Sequence, residues 1–330
     1  MAQVGTRVKK RGTSSTSISA TSIASSRLLV ATLAPSTVKK YDFNTEQFLQ
    51  WMVDNGHHPT TVPHLDSLLA QYLDYIYGRG FGLGAANSTV FGLELLYPGV
   101  CDQLPMSKKM LKGFKKLKPS TSHPPLTWPV TCVIALDMIK KGHFLAGVAT
   151  LLAFDSYLRI SEFTNLYRED IALGSDVRIG AGRPDRMYLR LRKTKTGPEQ
   201  GVEVLNPDVK ALLSIVIKRV PVGGKVFPYD DAQYRVLFHR VCDDLKLPRD
   251  YVPHSLRHGG ATYGYLTDMS FIDIQVRGRW SSLKSCLGYV QTFRQALISR
   301  SFPPSIVTAC GIVNSKPLLS LISEVLHGME

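Results

Sequence analysis

His254-Ser255-Leu256-Arg257-His258 is the stretch that decides how this chain is read. His254 and Arg257 are three residues apart, so on a helix they share one face. Other polar pieces fall around them in order. Tyr157-Leu158-Arg159-Ile160-Ser161-Glu162 lies upstream, and Lys193-Thr194-Lys195-Thr196-Gly197 sits between the two. Gly278-Arg279-Trp280 and then Tyr289 follow downstream. Together these residue types suit phosphoryl transfer. Charge develops on the non-bridging oxygens of an attacked phosphodiester. Guanidinium forks meet that charge bidentately and do not lose their protons. A lysine or histidine can protonate a leaving oxygen. A phenol oxygen can hold the phosphoryl group covalently, splitting one hard step into two.

The bulk numbers set the frame. At 330 residues, about two domains are expected, and 44% apolar residues support packed cores. The net charge of +14 points to a polyanionic partner. Charge alone does not separate nucleic-acid binding from a soluble basic protein. Cys101, Cys132, Cys242, Cys286 and Cys310 are scattered without a Cys-x-x-Cys pair. Neither a zinc site nor a disulfide framework is therefore expected, and a reducing compartment fits. No run reaches the ~18 continuous apolar residues of a membrane span. No secretory leader is expected either.

Residues 1–30 read as a basic, Ser/Thr-rich tail that cannot fold alone. Lys9-Lys10-Arg11 within it suits nuclear import, a non-specific DNA arm or simple solubility. Residues 31–118 read as a helical domain. One helix is expected from a Ser36 cap to about Gly56, and others over about 63–77, 88–97 and from Ser107. The last carries Lys108, Lys109, Lys112, Lys115, Lys116 and Lys118 with no acid to offset them. Such a face is usually just solvated. This density tilts it toward a DNA backbone, through Lys108, Lys112, Lys115 and Lys116. Residues 119–128, rich in Pro and Ser, read as a linker. A second domain is expected over 129–302, with helices near 129–141 and 143–156. Met187, Leu189 and Leu191 alternate with polar residues, which predicts a strand paired with one through Val202 and Val204. Asn206-Pro207-Asp208 predicts a helix start. A helix over about 231–246 follows. Residues 303–330 form a terminal arm and helix, crowded with Leu318, Leu319, Leu321, Ile322, Val325 and Leu326.

The constellation resembles the tyrosine recombinases, also called phage integrases. Arg159-Ile160-Ser161-Glu162-Phe163-Thr164-Asn165-Leu166 is similar to the family's Arg-x-x-Glu-Leu-x-x-Leu box, with Phe163 for the first Leu. His254 to His258 matches His-x-Leu-Arg-His in full. Gly278-Arg279-Trp280 stands where the family has Leu-Gly-His, with Trp in some members, and Tyr289 follows Trp280 by nine residues. The likeness runs from about Phe154 to Tyr289, and its strength lies in order and spacing together.

The resemblance implies a mainly α fold with a small antiparallel sheet (α+β), arranged as a two-domain C-shaped DNA clamp. Residues 31–118 would be the SAM-like core-binding domain and 129–302 the catalytic domain. Arg159 and Arg257 would hold the scissile phosphate, with Lys195 (rather than Lys193) as general acid. His254 would bond the phosphate and shuttle a proton, Trp280 would donate to a non-bridging oxygen, and Tyr289 would be the nucleophile. Glu162 would orient a catalytic side chain. Each residue has a plainer reading when taken alone. Arg159 could be a buried ion pair, Lys195 a solubilising turn lysine, His254 a residue at a helix start and Trp280 core. His258 reads as structural, and Tyr263 and Tyr265 as packing.

The implied activity is site-specific recombination or integration through a 3′-phosphotyrosine, without metal, ATP or other cofactor. Type IB topoisomerases and hairpin telomere resolvases share the chemistry, and a non-catalytic DNA-binding descendant is the third reading. The implied partner is double-stranded DNA. The chain would be a monomer or weak dimer when free and a homotetramer on two DNA sites, with the terminal helix exchanged between protomers. The basic tail and Phe163 point to a eukaryotic mobile element of the DIRS or Crypton kind, which would act in the nucleus; a non-eukaryotic origin would place it in the cytoplasm or nucleoid.

Overall fold

The computed structural model of the chain describes residues 31–119, 122–174, 185–194 and 197–328. It divides into two compact units, Met1–Thr121 and Ser122–Glu330. Among its described residues the first holds the α-helices α1 (Pro35–Asp54), α2 (Val62–Gly78), α3 (Leu83–Leu96) and α4 (Pro105–Leu117). Phe48, Leu69, Leu73, Leu93 and Leu104 form its core. Gly92 lets α3 approach α1, because a Cβ there would overlap the Thr45 hydroxyl.

Three helix starts differ from the sequence reading, the largest difference being α3, which begins at Leu83 behind Gly82 rather than near 88. Helix α1 begins at Pro35 behind Ala34, so Ser36 is not its cap; the proline's fixed φ suits the first turn. Helix α4 begins at Pro105, and its first amides are capped from another helix. Buried Asp66 on α2 accepts from Met106 N at 2.8 Å, Ser107 N at 2.9 Å and Ser107 Oγ at 2.6 Å. A tertiary cap of this kind leaves no local sequence signal.

The second unit is built on α5 (Trp128–Lys140) and α6 (Phe144–Asp155). Helix α6 is buried from Ala146 to Phe154, as an all-apolar helix must be. A four-residue helix, α7 (Ile160–Phe163), follows it. Then comes an antiparallel sheet in the order β1 (Ile171–Leu173), β2 (Met187–Thr194), β3 (Gly197–Val204). The expected alternation holds. Leu189 pairs with Val202 and Met187 with Val204, all four side chains are buried, and Arg190 faces out. Strand β1 is an addition that three residues were too few to announce. Asn206 caps α8 (Pro207–Arg219) as expected, accepting from Asp208 N and Val209 N. The remaining helices are α9 (Asp231–Asp244), α10 (His254–Leu266), α11 (Phe271–Gly278), α12 (Leu283–Leu287), α13 (Thr292–Ser299), α14 (Pro304–Ser315) and α15 (Leu318–His327). The fold is thus mainly α with a small antiparallel sheet. Among the described residues no single helix is long and apolar enough to cross a membrane.

In the single chain the terminal helix α15 packs in cis. Leu318 and Ile322 are buried in the unit's own main core, and both α14 and α15 pack on α5. Leu318, Leu321 and Ile322 are covered in cis, whereas Leu319 and Leu326 stay exposed.

Ile322 is 4% exposed, so Ile322→Ala should lower stability by about 2–5 kcal/mol. A urea titration should show a lower midpoint, with no dependence on protein concentration. An unchanged midpoint would mean that α15 does not seal this core.

Candidate active site

The site is built where α6 ends. The chain turns through Ser156 and through Tyr157, which takes a left-handed φ of 50°. Helix α10 lies against this turn because its first half carries glycines. A Cβ at Gly260 would overlap the Phe154 carbonyl oxygen and approach the Tyr157 ring. The close approach carries Arg257 inward until it is fully buried. Its Nη1 donates to the Tyr157 carbonyl and its Nη2 to the Gly278 carbonyl. Its Nε is buried without a partner.

Glu162, on α7, is also buried. One oxygen accepts from Arg159 Nη1 at 2.6 Å. The other accepts from the Arg159 backbone N–H at 2.8 Å and from Arg279 Nη2 at 2.8 Å. Burial alone would raise this carboxyl's pKa. The Arg279 charge, the Arg159 N–H and the Arg159 and Arg257 charges outweigh burial and hold it below the usual value. Burial, then the charges of Arg159 and Arg279, push Arg257 down to about 9, which still leaves it charged at neutral pH. Two guanidinium groups therefore bond one carboxylate, and the charge of a third, Arg257, acts on it.

Tyr289 sits beside this cluster, partly exposed, after the short helix α12. The Arg257 guanidinium carbon lies 5.5 Å from its ring centroid and 4.6 Å from that of Trp280. The Trp280 ring is 4.6 Å from Tyr289 and the His258 ring stacks on it at 4.3 Å. The phenol oxygen is 3.2 Å from His254 Nε2. Trp280 is buried, and its indole N–H has no partner among the described residues. Burial, followed by the Arg257 charge, pushes His254 down to about 4. Burial, followed by His254, pushes His258 down to about 3. Both imidazoles are neutral near pH 7. In the tautomer with its proton on Nδ1, His254 accepts the phenol's hydrogen bond.

The structure brings Arg159, Glu162, His254, Arg257, Trp280 and Tyr289 together in one unit. Lys195 lies outside the described residues. Between the described residues on either side of it, Thr194 Oγ1 donates to the Gly197 carbonyl at 2.7 Å. Tyr263 packs near Phe154, with ring centroids 5.9 Å apart. Of the lysines singled out on α4, Lys108 pairs with Glu94 at 3.0 Å and Asp102 at 2.7 Å. Its ammonium lies between carboxylates that, with Cys101, form a candidate cation-binding group, so its charge is neutralised within the chain. Lys112, Lys115 and Lys116 are exposed and pair with no acid among the described residues.

Two residues were missed. His258, read as structural, is a wall of the Tyr289 site, held by Gln291 Nε2 at 2.9 Å from its Nδ1. Arg279 joins Glu162 in the arginine cluster. Its signal was present, a charged residue inside the Gly278-Arg279-Trp280 triplet, but its partner lies more than a hundred positions earlier.

No protein-family model and no curated protein matches the chain. Solved structures do. A complex of the Tn1549 transposon integrase with transposon right end DNA aligns over 80% of this chain and 98% of its own, at 17% identity and TM-score 0.54. XerH site-specific recombinase bound to palindromic difH substrate aligns over 80% and 78%, at 16% identity and TM-score 0.57. A lambda integrase dimer bound to a COC′ core site aligns over 80% and 74%, at 15% identity and TM-score 0.54. All three are tyrosine recombinases, and this chain has their fold.

The buried histidines make stability depend on pH. Unfolded, each binds a proton near pH 6.5; folded, each stays neutral down to about 4 and about 3. The unfolded state therefore binds more protons as the pH falls below about 6.5, and that part of the stability is lost on acidification toward 4. Thermal unfolding should shift to lower temperature over this window, and His258→Gln should shift less. If variant and wild type respond alike, the histidines are not held neutral.

Proposed function

We propose that this chain is a site-specific DNA recombinase that cuts and rejoins strands through a tyrosine linkage. One observation carries the reading. Beside the Tyr289 ring, whose hydroxyl is bonded to a neutral histidine, lie the Arg257 guanidinium and the Trp280 indole, and Arg257 Nε and the Trp280 N–H are buried donors with no acceptor among the described residues. Leaving such donors unmade costs about 1–3 kcal/mol each. A phosphodiester lodged against Tyr289 supplies acceptor oxygens and places phosphorus beside the phenol. The likeness of fold to recombinases solved on DNA agrees with this.

In the reaction, Tyr289 Oη attacks phosphorus and its proton passes to His254 Nε2. The bond from phosphorus to the 5′-oxygen breaks, and that oxygen takes a proton from the general acid, for which Lys195 is the candidate. The product is a 3′-phosphotyrosine and a free 5′-hydroxyl. A 5′-hydroxyl from the partner duplex then attacks phosphorus, the phenol leaves, and the proton returns to Tyr289. The phosphotyrosine conserves the bond energy, so the reading needs neither ATP nor a metal. Arg159 and Arg257 stabilise charge that grows in the transition state, where fixed donors act most strongly. Exposed Lys112, Lys115 and Lys116 are suited to backbone phosphates. A tetramer on two sites would give the exchange its second duplex.

The test is covalent trapping. A pool of nicked duplexes with random sequence, incubated with the full chain, should give a DNA–protein adduct resistant to denaturation. Sequencing the trapped DNA would give the target. Tyr289→Phe removes one oxygen and should abolish the adduct while leaving DNA binding within about threefold. Absence of an adduct with wild type, despite binding, would leave a DNA-binding protein without this chemistry.

A further inference from the structure

Arg279 occupies a position that the motif comparison gives to glycine, and its backbone fits that origin, with φ 56° in the left-handed region. A side chain larger than glycine is disfavoured there. The arginine is nonetheless almost completely buried, with both terminal nitrogens bonded and only Nε without a partner among the described residues. Nη2 donates to Glu162 Oε2 at 2.8 Å and to the Tyr157 carbonyl at 3.2 Å. Nη1 donates to the Arg277 carbonyl at 2.9 Å. Burying a third guanidinium beside two others carries a desolvation cost of several kcal/mol, which only specific partners offset.

Those partners are the holders of the other two arginines. Glu162 is the carboxylate that fixes Arg159, and the Tyr157 carbonyl is one of the two that fix Arg257. The one fork of Arg279 thus touches the anchor of each. Neighbouring Gly278 completes the arrangement. A Cβ there would lie inside the Trp280 ring, so glycine lets the indole fold back beside the arginines.

We propose that Arg279 is a positioning residue that locks Arg159 and Arg257 into one rigid phosphate receptor, by bridging Glu162 and the Tyr157 carbonyl. This rests on the strand-transfer reading above. Arg279 touches neither DNA nor Tyr289 in the proposal; it acts through the other two arginines. Its loss lets two guanidinium groups drift, and a misplacement of ~1 Å can cost about a hundredfold in rate.

The test uses the full chain and the trapping duplexes, with three readouts taken well below the unfolding temperature. Arg279→Gly suits the left-handed backbone but removes the bridge. It should slow adduct formation on saturating DNA about a hundredfold and leave DNA affinity within about threefold. Arg279→Lys keeps the charge but not the fork, so it should recover only a minor part of the rate. Glu162→Gln combined with Arg279→Gly should be scarcely slower than Glu162→Gln alone, because both act on the same anchor. A wild-type rate in Arg279→Gly would overturn the inference, as would full recovery in Arg279→Lys or losses that simply multiply in the double variant. If instead wild type forms no adduct, the strand-transfer reading has failed, and that outcome is distinct from all of these.

Discussion

The structure around Tyr289 depends on one buried carboxylate, Glu162, set among the guanidinium groups of Arg159, Arg257 and Arg279. Three positive charges around one negative charge, shielded from water, make a receptor for an anion. Desolvation opposes such a cluster, and the fold holds it by supplying backbone carbonyls from Tyr157, Ser156, Arg277 and Gly278. Several local oddities follow from this. Tyr157 and Arg279 both accept left-handed backbone, and Gly260 and Gly278 give up side chains so that chain and ring can close on the arginines.

The same arrangement explains the neutral histidines. An imidazole beside several guanidinium groups and away from water does not hold a proton near pH 7, so His254 is free to accept one. His258 and Trp280 fix the Tyr289 ring from two sides while His254 meets its oxygen. The guanidinium groups are held by the fold's own carboxylate and carbonyls, and donors fixed in this way act on a transition state without reorganising.

Much of this was legible in the sequence, for identifiable reasons. Arg159, Glu162, His254 and Arg257 lie in two short boxes whose internal spacing is a helical turn, and Tyr289 was placed by its distance from Trp280. The Met187–Leu191 alternation and the Asn206 cap are local signals and reappeared as read. What escaped was non-local. Helix α4 takes its cap from Asp66 some forty residues away, and Lys108 is drawn off by Glu94 and Asp102. Arg279 meets Glu162 across 117 positions. The leucines of α15 were rightly seen to need a surface, but amphipathicity does not say whose surface it is. The structure supplies it from α5 of the same chain.

The central claim is that the phenol of Tyr289 becomes the covalent link to DNA. The most direct measurement is peptide mapping of the trapped adduct after exhaustive nuclease and protease digestion. The account predicts a single modified peptide, spanning Tyr289, that carries a nucleotide on its tyrosine through the nucleotide's 3′-phosphate. A nucleotide found on Tyr263 or Tyr265, or attached through a 5′-phosphate, would contradict it.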